Sequence, residues 1–182
     1  TVRNKGVPSQ VSDLTHSFNA QDPGSLRKIL EANSTKFAAI ILEPLSILDQ
    51  PVEKLMEIKD LSREFGAVLI FDEICSGFRV DLGGAQKLFG VVPDLTCLGK
   101  AIANGMPLSI VTGRADIMGE FENVFVSGTF AGETLSIAAA IATINKLEKC
   151  NVPDAINIKG GKLRAGVNNL IERSKLSDHI KI

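Results

Sequence analysis

Three apolar runs in this chain end in ionisable residues. Ala38-Ala-Ile-Ile-Leu42 is followed by Glu43, Ala67-Val-Leu-Ile-Phe71 by Asp72-Glu73, and Leu95-Thr-Cys-Leu98 by Gly99 and Lys100. Glu43 and Asp72 lie 29 residues apart, and Asp72 and Lys100 lie 28 apart. Each interval is about one strand–helix–strand unit of ~30 residues. Two acids and a lysine at the ends of successive parallel strands would project towards one rim of one sheet, where open α/β sheets bind ligands. A lysine amine in that place can form a Schiff base with an aldehyde, then carry a proton as general base and acid. A neighbouring carboxylate can pair with a protonated ring nitrogen.

Together these are the needs of pyridoxal 5′-phosphate chemistry, in which an acid on the pyridine nitrogen keeps the ring an electron sink. The remaining need is an anion site for the phosphate. Ser127-Gly128-Thr129, just before a helix from Glu133, offers hydroxyls, backbone N–H groups and a nearby helix N-terminus. Taken singly, each piece has a plainer role. An Asp-Glu pair can end a strand and face water, and Glu43 before Pro44 can be satisfied by backbone N–H groups. Most lysines are solvated surface charges, and Ser-Gly-Thr is commonly a turn. Gly83-Gly84 reads as a flexible turn entering a helix, and Cys97 as a small buried hydrophobe. The constellation outweighs its parts.

A rival reading takes Val68-Leu-Ile-Phe-Asp72-Glu73 as the Walker B segment of a nucleotide hydrolase, with Asp72 supporting magnesium. Such a protein needs G-x-x-x-x-G-K-[ST] to cradle phosphates. Before Lys100, Asp94 stands where the first glycine belongs, and Ala101 replaces Ser/Thr. Before Lys162, Ile156 holds the first position and Leu163 the last. Both candidates fail, so the rival reading survives as an alternative only with its phosphate loop upstream of Thr1.

The positioning elements follow from periodicity. The three apolar runs are expected to be strands, the first buried on both sides. Weaker strands are expected at Leu108 to Val111 and Val124 to Val126. Amphipathic helices are expected after Pro23, over Glu53 to Phe65, over Ala85 to Phe89, over Glu133 to Lys149 and over Ile158 to Arg173. In the fourth, Leu135, Ile137, Ile141, Ile144 and Leu147 should face inward; in the last, Leu163, Val167, Leu170 and Ile171. Alternating strands and helices imply an α/β fold, a mostly parallel sheet covered by helices on both faces.

With 182 residues, 45% of them hydrophobic, the chain can bury a real core. A formal net charge of −1 gives no general pull towards nucleic acid or anionic lipid. The apolar runs are too short to span a bilayer, so neither nucleic acid nor membrane is an expected partner. Cys75, Cys97 and Cys150 are too few and too scattered for a disulfide framework, and an odd count suits a reducing, cytoplasmic setting. With only His16 and His179 beside them, no metal-ligand spacing arises.

The segments Val68-Leu-Ile-Phe-Asp-Glu-Ile-Cys-Ser-Gly-Phe-Arg-Val80, Leu82-Gly-Gly-Ala-Gln86, Pro93-Asp-Leu-Thr-Cys-Leu-Gly-Lys100 and Ser127-Gly-Thr-Phe-Ala-Gly132 resemble class III pyridoxal-phosphate aminotransferases. Within them the chain looks most like the glutamate-1-semialdehyde aminomutase branch, from Val7-Pro8 to the last helix. The resemblance implies the large domain of a fold-type I enzyme that moves an amino group to or from a small amino or keto substrate. Lys100 would hold the cofactor aldehyde and shuttle the proton, and Asp72 would pair with the pyridine nitrogen. Ile74 would press on one face of the ring. Gly128 and Thr129 would bind the cofactor phosphate of the neighbouring subunit of a homodimer, and Glu43 would stand near the cofactor. Two departures are visible. Leu48 stands where the aminomutases have Asn, and Gly132-Glu133-Thr134 replaces Gly-Asn-Pro. A chain that starts at Thr1 and stops at Ile182 is expected to be an internal piece of that large domain. The rest of the phosphate cup, the stacking aromatic residue and the small-domain arginine would then lie outside it, leaving the piece inactive alone.

Overall fold

The apolar runs pair side by side in chain order. In the computed structural model, which describes residues 5–32, 37–45, 51–180 and 182, β1 (Ala39–Leu42), β2 (Val68–Asp72), β3 (Leu95–Leu98) and β4 (Ile110–Gly113) form one sheet. Its order is β1-β2-β3-β4. The first three strands are parallel, with Leu42 opposite Phe71 and Asp72 opposite Cys97. The fourth returns antiparallel. Among the described residues seven α-helices accompany them: α1 (Ser9–Ser12), α2 (Pro23–Ala32), α3 (Val52–Glu64), α4 (Gly84–Phe89), α5 (Ala115–Met118), α6 (Thr134–Lys149) and α7 (Val152–Arg173).

One face of the sheet carries the main core. Ile40 and Leu42 of β1 and Leu69 and Phe71 of β2 pack with Leu26 and Leu30 of α2 and with Leu55, Ile58 and Leu61 of α3. Burying each such side chain contributes about 1.5–3 kcal/mol, so this face anchors the strand ends. A forked ion pair from Arg27 to Glu64, at 2.9 and 2.8 Å, ties α2 to α3 at the surface. A smaller cluster of Ile102, Ala103 and Ala140, with Phe78, Leu98 and Leu108 against it, joins the segment after β3 to α6.

Several expectations are corrected. β1 is not buried on both sides: burial alternates along it, and Ile41 is 57% exposed. It is an edge strand, and no described helix covers its second face. Val124 to Val126 is not a strand; Phe125 there is 96% exposed, with no strand beside it to pair with. The inward face of α6 is Ser136, Ala140 and, as expected, Ile144, which packs against the Ile102 cluster, while Leu135, Ile137 and Ile141 are exposed. Small residues let α6 approach closely, which apolar periodicity alone does not reveal. α7 begins six residues earlier than expected, at Val152, with Pro153 in its first turn. Of its expected inner residues Ile171 is buried, whereas Leu163 and Leu170 are exposed.

Asp94 locks the sheet together just before β3. Its Oδ2 accepts the Leu69 N–H at 2.8 Å, and its Oδ1 accepts from Arg114 at 3.0 Å. The Arg114 N–H donates to the Asp94 carbonyl at 2.9 Å. Gly113 makes that approach possible: at φ 158°, a Cβ there would lie 2.1 Å from the same carbonyl oxygen. Gly113→Ala should therefore destabilise the full-length protein by on the order of 3 kcal/mol in urea unfolding. Gly119→Ala, where a Cβ meets nothing within 4 Å, should stay within about 0.5 kcal/mol.

Candidate active site

The loop leaving β2 is held by a carboxylate inside the protein. Glu73 is 1% exposed. Its Oε2 accepts from the Ser76 hydroxyl at 2.9 Å and the Ala85 N–H at 2.5 Å. Its Oε1 accepts from the Gln86 N–H at 3.0 Å and Gln86 Nε2 at 3.3 Å. Gln86 Nε2 also donates to Thr96 Oγ1 on β3, at 3.2 Å. Glu73 thereby fastens the loop to the start of α4 and to the neighbouring strand. Gly84 is required beside it, because a Cβ there would stand 2.3 Å from Glu73 Oε2, at a φ of +69°. With both oxygens committed in the interior, Glu73 is an anchor of the loop and has no reach to a nucleotide.

Asp72 belongs to the opposite side of the same strand end. It is half-buried, and its Oδ1 accepts the Ile74 N–H at 3.1 Å. Its Oδ2 has no hydrogen-bond partner among the described residues. Cys97 lies opposite it in the ladder. Burial, and then the Asp72 charge, push the Cys97 thiol up from its ordinary pKa, which keeps it protonated. Ile74 leans over the strand end that leads to the lysine: a Cβ on Gly99 would be 3.4 Å from Ile74 Cγ2.

Lys100 opens a single 3-10 turn, Lys100–Ile102, with a left-handed φ of 43°. Its amine donates to Cys75 Sγ at 2.8 Å. Phe78 (φ 61°) and Asn104 (φ 45°) share this sparsely populated backbone region. All three line one cavity of about 580 Å³, together with Arg79, Thr143 and Lys146. Such conformations cost of order 1–3 kcal/mol each and persist where surrounding structure imposes them, commonly at functional sites.

Of the other residues singled out in the sequence, Glu43 stands exposed at the same sheet edge, one strand from Asp72. It has no side-chain hydrogen bond among the described residues. Leu48 lies outside the described residues. Gly128 and Thr129 are exposed, in the loop before α6, and line a different cavity of about 740 Å³ with Ser127, Leu108 and Ile110. The fold thus brings Asp72, Ile74 and Lys100 to one edge and leaves Gly128 and Thr129 apart from them. The helix N-terminus expected near that anion site is already occupied. Glu133 caps that helix itself, accepting the Leu135 and Ser136 N–H groups at 2.7 Å each. Those N–H groups hold the Glu133 carboxyl below the ordinary glutamate value of 4.5, while the buried Ser136 hydroxyl beside it has no hydrogen-bond partner among the described residues. A phosphate there would meet a fixed negative charge. Sequence reasoning missed the interior role of Glu73, for which Gly84 was the available signal, and the Cys75 contact, for which there was none.

The aminotransferase class-III family model matches residues 7–181. The chain belongs to the class-III aminotransferases. This class-III chain is 35% identical to the glutamate-1-semialdehyde 2,1-aminomutase of Methanococcoides burtonii, covering 96% of the chain and 43% of that protein. It is 40% identical to the 3-aminobutyryl-CoA aminotransferase of Cloacimonas acidaminovorans, covering 93% and 42%. A solved transaminase with PLP bound superposes with a TM-score of 0.88 at 27% identity, covering 94% of this chain and 42% of that one. The chain therefore spans less than half the length of these class-III relatives.

Two outcomes test this geometry. Glu73→Ala would strand the Ala85 and Gln86 N–H groups in the interior and should cost the full-length protein about 3 kcal/mol of stability in denaturant unfolding. Because Glu133 is lowered on folding, its contribution is complete above the unfolded value of 4.5 and is lost as pH falls through the folded value. The stability advantage of the native protein over Glu133→Gln, followed by denaturant midpoints, should hold at neutral pH and vanish in acid.

Proposed function

We propose that the full-length protein transfers amino groups with pyridoxal 5′-phosphate, acting on a small amino or keto substrate as a cytosolic homodimer. One observation carries the reading: Asp72, Ile74 and Lys100 occupy one sheet edge, with Asp72 Oδ2 uncommitted. When bound, the cofactor ring supplies an electron sink that lets an amino group move between carbon centres. The residues present fit that group. Asp72 Oδ2 is a half-buried acceptor for the pyridine N–H, and Ile74 is an apolar wall for the ring. Lys100 supplies the amine that binds the cofactor aldehyde and, once free, holds and moves a proton at Nζ. Glu43, at the neighbouring strand end, lines the approach.

Gly128 and Thr129 are assigned to the phosphate of the neighbouring subunit. Their exposure, and their separation from the cavity beside Lys100, support a site shared across a dimer. The chain is then the central part of the large domain, with the rest of the phosphate cup, a stacking aromatic residue and the substrate-carboxylate arginine supplied elsewhere. No helix among the described residues is long and apolar enough to cross a membrane. The relatives named above divide between an aminomutase and an acyl-CoA aminotransferase, so the reading stops at amino-group transfer.

Borohydride reduction of the cofactor-loaded, full-length protein followed by peptide mapping tests the assignment. The pyridoxyl group is expected on the peptide containing Lys100. An adduct on another lysine, or none, overturns it.

A further inference from the structure

The three cysteines occupy three different environments. Cys97 is partly buried opposite Asp72, and its thiol is pushed up. Cys150 is exposed at the end of α6, with no side-chain hydrogen bond among the described residues. Cys75 is also exposed, yet its sulfur sits 2.8 Å from the Lys100 amine. The backbones that carry the two groups are both anchored. Cys75 lies in the loop that Glu73 fastens to α4, and Lys100 starts the turn that Ile102 and Ala103 pin against α6. An accessible thiol is thus held against a primary amine by elements that do not depend on either side chain.

A sulfenic acid formed on an accessible cysteine is attacked by nearby nucleophiles, nitrogen among them. We propose that Cys75 and Lys100 form an oxidant-dependent covalent bridge, with hydrogen peroxide as the oxidant. In the first step the Cys75 sulfur takes one oxygen from peroxide: the O–O bond breaks, a Sγ–OH bond forms and one water leaves. In the second step the lone pair of the unprotonated Lys100 amine attacks Sγ. The S–O bond breaks, the departing hydroxide takes a proton from nitrogen, and a second water leaves. One Nζ–Sγ bond is formed. The sulfur loses two electrons, and one peroxide is reduced to two waters. A thiol reductant returns both residues to their starting state.

The consequence rests on the cofactor role proposed for Lys100, whereas the bridge does not. An amine bonded to sulfur is unavailable to an aldehyde, so oxidation would withdraw the protein from service reversibly. Bound cofactor, by occupying the amine, would protect against it.

The test treats the cofactor-free, full-length protein with hydrogen peroxide and maps its peptides by tandem mass spectrometry. The expected product joins the Cys75 and Lys100 peptides with the loss of two hydrogens, and dithiothreitol dissolves it. Cys75→Ser should abolish it and Cys150→Ser should leave it intact. Oxidation of Cys75 to the sulfinic acid with Lys100 unmodified overturns the proposal, as does equal cross-linking of Lys100 in Cys75→Ser. Addition of pyridoxal phosphate, followed by absorbance, separates the two layers. The bridged protein should lose cofactor uptake and regain it after reduction. Unimpaired uptake by a demonstrably bridged protein would overturn the role of Lys100 in holding the cofactor.

Discussion

A buried carboxylate with no counter-cation among the described residues fixes the geometry of this protein. Glu73 stays in the interior because donors surround it: a hydroxyl, a side-chain amide and two N–H groups from the start of α4. Burying an ionised group without such partners would be prohibitive, and hydrogen bonds to an ionised acceptor are the strong ones. The interaction decides more than local stability. Leu69, Phe71 and Glu73 are buried, while Val68, Ile70, Asp72 and Ile74 are half-buried. The period of two that governs a strand therefore continues past the end of β2. Once Glu73 is committed to one side, Asp72 and Ile74 must present themselves on the other. Two adjacent acids of similar chemistry thus acquire opposite roles, one holding the loop and one left with an uncommitted oxygen.

The same logic explains why Gly84 and Gly113 matter although neither approaches the site. Gly84 leaves room for the Glu73 carboxylate, and Gly113 lets β4 close on the carbonyl of Asp94. Asp94 in turn holds the backbone of β2 through Leu69. Register between β2 and β3 sets Asp72 opposite Cys97, and Gly99, just before Lys100, lies against Ile74. A sheet slipped by one residue would exchange the two faces and send Asp72 into the core.

Much of this was legible in the sequence wherever period and spacing are strict. The three parallel strands, their order along the chain and the common edge of Glu43, Asp72 and Lys100 follow from apolar runs about one strand–helix–strand unit apart. Legibility failed where burial was not apolar. On α6 the inner face is Ser136, Ala140 and Ile144, so the helix packs largely by smallness, and a search for large hydrophobic residues finds Ile144 but also selects Leu135, Ile137 and Ile141 on the exposed side. Glu133 marked the start of a helix whose N-terminus was expected near the phosphate, and it is itself an anion that this N-terminus attracts. The Cys75 contact had no sequence signature, because it depends on two turns meeting in space rather than on any repeat.

The small inner face of α6 connects these observations to chemistry. Lys100 holds a left-handed backbone conformation that a non-glycine residue adopts only at a cost. The following turn accepts that cost because Ile102 and Ala103 are almost fully enclosed, with Ala140 among their neighbours. A larger residue at Ala140 would push the turn outwards and relax Lys100 towards ordinary backbone geometry, moving its amine away from Cys75. The precision of the site therefore depends on two very different kinds of packing: a saturated set of hydrogen bonds around Glu73 on one side, and a close approach of small side chains on the other. The first fixes where the acid points, and the second fixes where the amine can reach.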